Sequence, residues 1–333
     1  MRVAINGFGR IGRAVFRILN KRDNIKVIAI NDLYDHHALA YLLKYDTVMG
    51  GFDEKVTLTN DGILETPSES VKMLQEKNPS DLPWSELDID IVIESTGVFR
   101  TKETLQSHIP AGAKRVILTV PAKDEIDYTV VLGVNEAGLK PEHKIISNAS
   151  CTTNCLAPMA KVLHEKFGIH SGVMNTIHAY TNDQRLADVP HKDWRRSRAA
   201  AENIIPTSTG AAKAVGKVLP ELQGKLDGIA SRVPVPDGSV VDLFLKLDSK
   251  VTVKEINQCV SEAANKREMK NILEYSEIPI VSSDIIGNPK SSIFDSLCTQ
   301  VVNDHFVHTL NWYDNEWGYS NRVVDLIDKI STF

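Results

Sequence analysis

The sequence predicts an α/β chain of two domains, the first built on a parallel sheet and the second on a mostly antiparallel sheet. In the first 150 residues, short apolar runs alternate with segments of helical periodicity, which is typical of parallel strands covered by helices on both faces. After residue 150 the pattern changes to long strand-like segments joined by turns, which favours an α+β layout. We therefore expect domains over 1–150 and 151–314, followed by a helical tail over 315–333.

Composition excludes several classes of protein. The net charge of −5 provides no basic field that would attract nucleic acid or anionic lipid. No apolar run approaches the ~18 residues that span a bilayer, and glycines come too early for a signal peptide. Four cysteines and no export signal are typical of a reducing cytosol. We expect a cytoplasmic protein without nucleic-acid or membrane partners.

The apolar pattern predicts the individual elements in order. In the first domain we expect strands over 3–5, 25–30, 89–93, 115–118 and 128–132, with helices over 10–21 and 102–108. In the second we expect a long helix over 151–167, strands over 169–178, 228–234, 240–247, 291–294 and 307–313, and an amphipathic helix over 251–266. The turn at 236–238 is typical of a hairpin connection.

A glycine motif lies between the first predicted strand and helix. Gly7, Gly9 and Gly12 form G-x-G-x-x-G, in which they permit a tight turn, close approach to a pyrophosphate and close helix packing. Asp32 follows the second strand, 20 residues after Gly12, where a carboxylate binds ribose hydroxyls. The pattern predicts dinucleotide binding, with NAD favoured over NADP because Asp32 would repel a 2′-phosphate. A simple glycine turn followed by a helix-capping aspartate remains the alternative.

Two cysteines, Cys151 and Cys155, stand four residues apart in SNASCTTNC. A disulfide is disfavoured by the reducing compartment and by their placement on one helix face, and no second Cys/His pair completes a zinc site. If Cys151 begins a helix capped by Ser150, the positive helix end and cationic neighbours would lower the pKa of its thiol. A buried, unreactive thiol is the alternative.

A thiolate beside a dinucleotide can oxidise an aldehyde. Attack gives a thiohemiacetal, and loss of hydride leaves a thioester. The scheme needs a base, for which His178 at the end of a predicted strand is a candidate. Ten histidines are present, so composition does not select it, and a polar residue at the end of a strand is an equal alternative.

Five motifs in order along the chain carry a family resemblance. They are INGFGRIGR at 5–13, SNASCTTNC at 147–155, HAYTNDQ at 178–184, TSTGAAKA at 207–214 and WYDNEWGY at 312–319. The sequence resembles phosphorylating glyceraldehyde-3-phosphate dehydrogenase over essentially its whole length. The resemblance implies a doubly wound Rossmann-type first domain to which the C-terminal helix returns, a catalytic second domain, and a homotetramer in which the loop over 179–203 reaches a neighbour's cofactor.

The resemblance also implies a role for individual residues. Cys151 would be the nucleophile and His178 the base, with glyceraldehyde 3-phosphate and inorganic phosphate as ligands. For the substrate phosphate it implies Thr181 and Arg232, with Asp183 holding Arg232. The implied site for attacking phosphate comprises Ser150, Thr152, Arg196, Thr209 and Gly210. The sequence leaves open which of Arg195, Arg196 and Arg198 faces this pocket.

For NAD, the resemblance implies a further set of contacts. They are Arg10 and Ile11 at the pyrophosphate, Asp32 at the adenosine ribose, Lys77 on the adenine side in place of a frequent arginine, Thr119 near the nicotinamide ribose and Asn315 at the carboxamide. No metal is implied. The segment Val235-Pro236-Asp237-Gly238 replaces a common Thr-Pro-Asn-Val, from which we expect a changed turn.

Two other functions remain open at this point. Erythrose-4-phosphate dehydrogenase shares the cysteine motif but releases an acid with water, and the intact 207–212 segment favours the phosphorylating enzyme. The other is a binding protein in which catalysis is secondary, against which the joint presence of Cys151, His178 and Arg232 argues.

Overall fold

A computed structural model describes the whole chain, Met1–Phe333, as two compact units. The first comprises Met1–Val130, Ala137–Ala149 and Ser320–Phe333, and the second comprises Val131–Glu136 and Ser150–Tyr319. None of the helices combines the length and the apolar character needed to cross a bilayer.

The first unit is built on a nine-stranded sheet. Its strands are β1 (Arg2–Asn6), β2 (Lys26–Asn31), β3 (Thr57–Leu58), β4 (Ile63–Glu65), β5 (Ser70–Leu74), β6 (Ile91–Glu94), β7 (Arg115–Leu118), β8 (Tyr128–Thr129) and β9 (Ile145–Ser147). Their order is β3-β4-β5-β2-β1-β6-β7-β9-β8, and all pairs are parallel except β3·β4 and β4·β5. The chain runs outward in opposite directions from β1, so β1 and β6 form a topological switch point, where open α/β sheets bind ligands.

Both faces of this sheet are buried. Ala4 belongs to a core cluster with Trp84 and Leu105, whereas Val3 and Ile5, which alternate with Ala4 along β1, are also fully buried. Because neighbouring strand residues point to opposite faces, apolar groups cover the sheet on both sides. The helices assigned to this part of the chain are α1 (Arg10–Leu19), α2 (His36–Lys44) and α3 (Lys102–Gln106).

The second unit contains a seven-stranded sheet. Its strands are β10 (Ile169–Ala179), β11 (Ile205–Ser208), β12 (Leu226–Val233), β13 (Ser239–Leu247), β14 (Leu273–Ser276), β15 (Ser292–Val302) and β16 (Phe306–Tyr313). The order is β11-β12-β10-β13-β16-β15-β14. Only β10·β12 and β14·β15 are parallel, so the sheet is mostly antiparallel and the predicted fold class is confirmed.

Three helices accompany this sheet: α4 (Cys151–Phe167), α5 (Ala211–Val218) and α6 (Val253–Ala264). Ser150 caps α4 by accepting the Thr153 N–H, and Thr252 caps α6 in a capping box with Glu255. α4 packs against both α5 and α6. The last helix, α7 (Trp317–Ile330), begins in the second unit and continues into the first.

The predicted hairpin at 236–238 is wrong. β12 and β13, which this turn connects, are not neighbours, because β10 lies between them and pairs with both. The turn instead crosses the end of β10. The short strands β3 to β5, β9, β11 and β14, together with α2 and α5, were not predicted, because segments this short carry little periodicity.

Candidate active site

A cavity of about 540 Å³ opens in the first unit where β1, β2 and β6 end. It is lined by Asn6, Gly7, Gly9, Asn31, Asp32, Leu33, Tyr34, Glu76, Lys77, Ser95, Thr96, Val98 and Phe99. This is the carboxyl edge of the parallel strands at the switch point, so the cavity lies where the fold predicts a ligand.

The glycine motif shapes one end of this cavity. Gly7 has a φ of 93°, and a Cβ on it would lie 2.5 Å from Thr96 N. A Cβ on Gly12 would lie 2.2 Å from Gly7 O, whereas one on Gly9 would meet no atom within 4 Å. No side chain caps the N-terminus of α1. Since an open glycine before a free helix N-terminus accommodates a phosphate, the site fits the pyrophosphate of a dinucleotide.

Asp32 directly follows β2, next to the glycine motif that follows β1. Its Oδ2 accepts the Phe8 N–H at 2.6 Å and its Oδ1 accepts the Tyr34 N–H at 3.1 Å. These bonds fix the carboxylate, which lines the cavity and has acceptor capacity left for ribose hydroxyls.

The other predicted cofactor residues are placed less uniformly. Lys77 lines the cavity. The Arg10 side chain pairs with Asp46 at 2.5 Å. Only the backbone of Arg10, at the first position of α1, is therefore left to contact a pyrophosphate. Thr119 is buried and donates to the Glu94 carbonyl. Ile11 and Thr119 are not among the lining residues, and Asn315 belongs to the second unit, where its amide accepts a hydrogen bond from Ser239.

Sequence reasoning missed most of the cavity lining. Asn6, Asn31, Ser95 and Thr96 all stand at or just beyond the ends of β1, β2 and β6. The signal was available, because each follows or ends a predicted apolar strand, and ligand-binding residues of parallel sheets collect at that edge.

In the second unit, Cys151 is the first residue of α4 and lies beside the end of β10. Its Sγ is 3.5 Å from His178 Nε2. His178 and Arg232 are register partners on the parallel strands β10 and β12, so the sheet itself places an imidazole and a guanidinium side by side. The structure therefore brings together the three residues that the sequence singled out for this site.

The second ring nitrogen of His178 has two neighbours. Nδ1 lies 2.7 Å from the Ala179 carbonyl oxygen and 2.7 Å from Arg232 Nη1, which itself donates to the same carbonyl at 2.8 Å. Arginine can only donate, so Nδ1 either accepts from Arg232 or carries a proton that it donates to Ala179 O, in which case Arg232 Nη1 bonds the carbonyl alone. In the second tautomer the lone pair of Nε2 faces the thiol. In that tautomer His178 can act as a base toward Cys151.

Burial governs the charge states of this pair. It raises the pKa of the half-buried Cys151 thiol, although the Arg232 charge acts in the opposite direction. Burial and then the Arg232 charge lower the pKa of His178 to about 3. The lowered thiol pKa expected from the sequence is thus not found, because desolvation outweighs the favourable charges. Each group alone resists ionisation, so charge forms most readily when both partners ionise together.

Cys155 behaves differently from Cys151. It is fully buried, its thiol contacts Ser292 Oγ and the Asn311 carbonyl, and burial raises its pKa strongly. All four cysteines of the chain are free thiols. Cys155 is therefore a packing residue, and Cys151 is the one that faces a base.

Two members of the arginine cluster differ in their contacts. Arg196 donates from Nε to Thr207 Oγ1 at 2.9 Å and forms an ion pair with Asp183. Arg198 pairs with Asp188 in an exposed position. The prediction that Asp183 holds Arg232 is wrong, because its carboxylate is directed to Arg196.

The remaining predicted phosphate residues lie in the same unit. Gly210 precedes α5 with no side-chain cap, and a Cβ there would meet nothing within 4 Å. Thr209 Oγ1 accepts the Ala211 N–H at 3.2 Å, and Ser150 Oγ caps α4. Thr152 bonds to Tyr313, and the Thr181 N–H donates to Gln184 Oε1.

Tyr313 was not assigned a role from the sequence. Its buried hydroxyl bonds Thr152 Oγ1 and Thr176 Oγ1, both at 2.8 Å, and its ring meets His178 edge-on at 5.8 Å. It supports the helix that carries Cys151 and the strand that carries His178. The partners are 161 and 137 residues apart in the chain, so no local pattern could have revealed them.

Asp237 is a second unassigned feature. It is 1% exposed, its Oδ1 accepts the Gly238 N–H, and its protonated form bonds the neighbouring Asp314 carboxyl. Burial, with the charges of Asp314 and Glu316, raises the pKa of Asp237 to about 9. A carboxyl with this pKa is protonated at neutral pH. It lies close enough to Cys151 that its charge, once it ionises, raises the pKa of that thiol.

Comparison with known proteins shows the family to which the chain belongs. Residues 1–102 match the model of the NAD binding domain of glyceraldehyde 3-phosphate dehydrogenase, and residues 150–315 match the model of its C-terminal domain. The chain belongs to the glyceraldehyde-3-phosphate dehydrogenase family. It is accordingly an NAD-dependent oxidoreductase that acts on an aldehyde group, as predicted.

Full-length relatives carry the name of the same family. Proteins called glyceraldehyde-3-phosphate dehydrogenase from Borreliella burgdorferi, Streptomyces coelicolor and Geobacillus stearothermophilus are 58%, 57% and 54% identical to this chain. The alignments cover 99%, 98% and 100% of this chain and 99%, 97% and 98% of the relatives. The erythrose-4-phosphate alternative is not favoured.

Proposed function

We propose that this member of the glyceraldehyde-3-phosphate dehydrogenase family reversibly converts D-glyceraldehyde 3-phosphate, inorganic phosphate and NAD to 1,3-bisphosphoglycerate and NADH in glycolysis and gluconeogenesis. Cys151 and His178 are its catalytic residues. The observation that carries the assignment is the 3.5 Å approach of Cys151 Sγ to His178 Nε2. The first residue of a capped helix and the end of a central strand hold these two atoms, so the pair is preorganised.

The pair handles the three proton transfers of aldehyde oxidation. His178 Nε2 takes the thiol proton as Cys151 Sγ bonds the aldehyde carbon, and returns it to the carbonyl oxygen to complete a thiohemiacetal. The same nitrogen then takes the hydroxyl proton when the carbon is oxidised to the thioester. When bound, NAD supplies the acceptor for the hydride that leaves this carbon.

Arg232 is proposed to bind the phosphate of the substrate, together with Thr181. Its Nη1 donates to the Ala179 carbonyl, but its Nε is buried without a hydrogen-bond partner. A phosphate oxygen would satisfy this donor. Neutralising Arg232 would also remove a charge that lowers the pKa of His178, so substrate binding would strengthen the base at the moment it is needed.

A second anion site is proposed for the phosphate that cleaves the thioester. Phosphate oxygen bonds the acyl carbon, the C–S bond breaks and Cys151 leaves as a thiolate. The site would use the open backbone at Gly210, the Thr209 hydroxyl and the Arg196 guanidinium, with Ser150 and Thr152 at the start of α4. Asp183 is proposed to orient Arg196 in place of Arg232, since the two form an ion pair.

The residues proposed to hold NAD follow from the cavity in the first unit. Gly7, Gly9 and Gly12, with the backbone of Arg10 and Ile11, would take the pyrophosphate, and Asp32 the adenosine ribose. Lys77, Thr119 and Asn315 remain proposed contacts on the adenine, nicotinamide-ribose and carboxamide sides.

The larger organisation is proposed on the same basis. We assign residues 1–150, completed by 315–333, to cofactor binding and 151–314 to catalysis. We also assign the chain to a cytoplasmic homotetramer. Sedimentation equilibrium of the purified protein tests the tetramer, and a monomer or dimer active in that form contradicts it.

The direct test is NADH formation from glyceraldehyde 3-phosphate, with and without phosphate or arsenate. With either anion we expect sustained production. Without them we expect one burst of NADH per active site and then slow leakage, because the thioester accumulates. Full steady-state turnover in phosphate-free buffer contradicts the proposed acceptor.

A further inference from the structure

A chain of buried hydrogen bonds runs beneath the cofactor cavity of the first unit. Trp84 Nε1 donates to His108 Nδ1 at 3.0 Å, and His108 Nε2 lies 3.2 Å from Glu94 Oε2. All three side chains are fully buried. An indole nitrogen can only donate, so Nδ1 must accept and Nε2 carries the proton. Trp84 therefore selects the histidine tautomer that donates to Glu94.

From Glu94 the chain continues to one side of the cavity. Glu94 Oε2 accepts from Asn6 Nδ2 at 2.6 Å, and Asn6 Oδ1 accepts from Asn31 Nδ2 at 2.7 Å. Asn31 then holds Glu76 twice, donating to its carbonyl and accepting from its N–H. Asn6, Asn31 and Glu76 all line the cavity. Each amide is oriented by the one before it, so the order of donors and acceptors is set from Glu94 outward.

The other carboxylate oxygen of Glu94 holds the opposite side. Glu94 Oε1 accepts from Thr96 N at 2.9 Å and from Thr96 Oγ1 at 2.5 Å. Thr96 Oγ1 in turn accepts the Val98 N–H at 3.1 Å. Thr96 and Val98 follow β6, and Glu76 follows β5. Because β2 and β1 lie between these two strands, Thr96 and Val98 line the side of the cavity opposite Glu76. Glu94 thus accepts four hydrogen bonds, which a carboxylate can do and a neutral amide cannot.

We propose that Glu94, with its tautomer-selecting partners His108 and Trp84, is a positioning residue for NAD. Its carboxylate does not line the cavity itself but fixes the segments on both sides of it, Glu76–Lys77 through two asparagines and Thr96–Val98 directly. The inference rests on the proposed role of this cavity in binding NAD. It assigns the affinity for the dinucleotide partly to a buried group that the dinucleotide does not touch.

The test is the affinity of the full-length apo protein for NAD, measured by titration calorimetry. Glu94→Gln keeps the size of the side chain but presents an amide N–H₂ to at least one existing donor. Losing a hydrogen bond to a charged acceptor corresponds to roughly a ten- to hundred-fold rise in the Kd for NAD. We expect the KM for NAD to rise in parallel. The kcat at saturating NAD and the KM for glyceraldehyde 3-phosphate should change little.

A second, milder variant removes the donor that selects the His108 tautomer. Trp84→Phe removes the indole donor and leaves His108 free to protonate Nδ1, so we expect a rise in the Kd for NAD of roughly three- to ten-fold. In Glu94→Gln, the added Trp84→Phe change should cost less than it does alone, because His108 can then accept from the new amide. The two residues do not bond each other, so this sub-additivity must pass through His108.

Val116→Ala is the matched control. Val116 belongs to the same core cluster as Trp84, and its side chain has no hydrogen-bonding group. It should lower thermal stability while leaving the Kd for NAD unchanged. If Glu94→Gln and Trp84→Phe lose stability but keep the Kd within about two-fold, or if their effects add, the positioning role is overturned. If the unmodified chain does not bind NAD, the proposed cofactor site itself fails.

Discussion

In the first unit, Trp84, His108 and Glu94 are buried, yet each polar atom of their side chains has a hydrogen-bond partner. Beside Cys151 in the second unit, Arg232 Nε is buried without one. An unpaired buried polar atom costs about 1–3 kcal/mol. The hydrogen-bond chain beneath the cofactor cavity avoids this cost, whereas the site beside Cys151 keeps an unsatisfied donor that an anionic ligand can satisfy. Satisfied polar groups suit a rigid binding site, and an unsatisfied donor suits a reaction centre that takes up a charged substrate.

The largest effect should come from the reaction centre. We expect Cys151→Ala to lower kcat by about 10⁴-fold or more, because the covalent route is lost. Cys155→Ala should retain most activity and lose stability, since Cys155 is a buried packing residue. Peptide mapping after brief iodoacetamide treatment should find Cys151 labelled first. Preferential labelling of Cys259 or Cys298, with activity retained, contradicts the assignment.

A smaller effect should distinguish the two anion sites of the second unit. Thr209→Ala removes one hydroxyl from the proposed acceptor site, so we expect the KM for phosphate to rise roughly ten- to hundred-fold. The NADH burst in phosphate-free buffer should be nearly unchanged, because it precedes phosphate attack. Rapid-mixing absorbance measurements separate the two phases. A burst reduced as much as the steady-state rate would place Thr209 in the first half-reaction instead.

A further effect should appear in the preference of the first unit for NAD over NADP. Asp32→Ala removes a carboxylate held by the Phe8 and Tyr34 N–H groups. We expect NAD to bind roughly ten-fold more weakly and NADP use to improve relative to NAD, because a hydrogen-bond acceptor and a repulsive charge are both lost. Initial rates with each cofactor measure the ratio. Equal use of both cofactors by the unmodified protein would contradict the role of Asp32.

The smallest effect on activity, and a gain in stability, is expected at Asp237. The pKa of its carboxyl is about 9 in the folded chain but near 3.9 in an unfolded one. Between these values the folded chain retains a proton that the unfolded chain has released, so the free energy of unfolding falls as pH rises. Asp237→Asn removes this dependence.

Chemical denaturation at several pH values tests the Asp237 prediction. The free energy of unfolding of the variant should exceed that of the unmodified chain by roughly 4–6 kcal/mol at pH 8, because each pH unit above the unfolded pKa is worth about 1.4 kcal/mol, and the gap should close toward pH 4. The carboxyls that face this group, Asp314 and Glu316, remain in both proteins and serve as the internal control. A gap independent of pH would show that Asp237 is already ionised in the folded state.

Local patterns in the sequence predicted the parts of the site that depend on neighbouring residues. The glycine motif, Asp32 and the helix that starts at Cys151 are each defined within a strand and its adjoining turn or helix. Long-range pairing was not predictable in this way. The wrong hairpin at 236–238 arose because β10 inserts between β12 and β13. The Asp183–Arg196 pair and the Glu94–Asn6 bond, which joins residues 88 positions apart, likewise depend on tertiary packing.

Trapping the acyl-enzyme tests the central claim most directly. Enzyme, NAD and glyceraldehyde 3-phosphate should be mixed in phosphate-free buffer, quenched in acid, digested and analysed by mass spectrometry. We predict a phosphoglyceroyl thioester on the peptide that carries Cys151, formed in proportion to the NADH burst and lost when phosphate is added before the quench. A burst of NADH with no adduct on Cys151, or an adduct on another residue, would contradict the account.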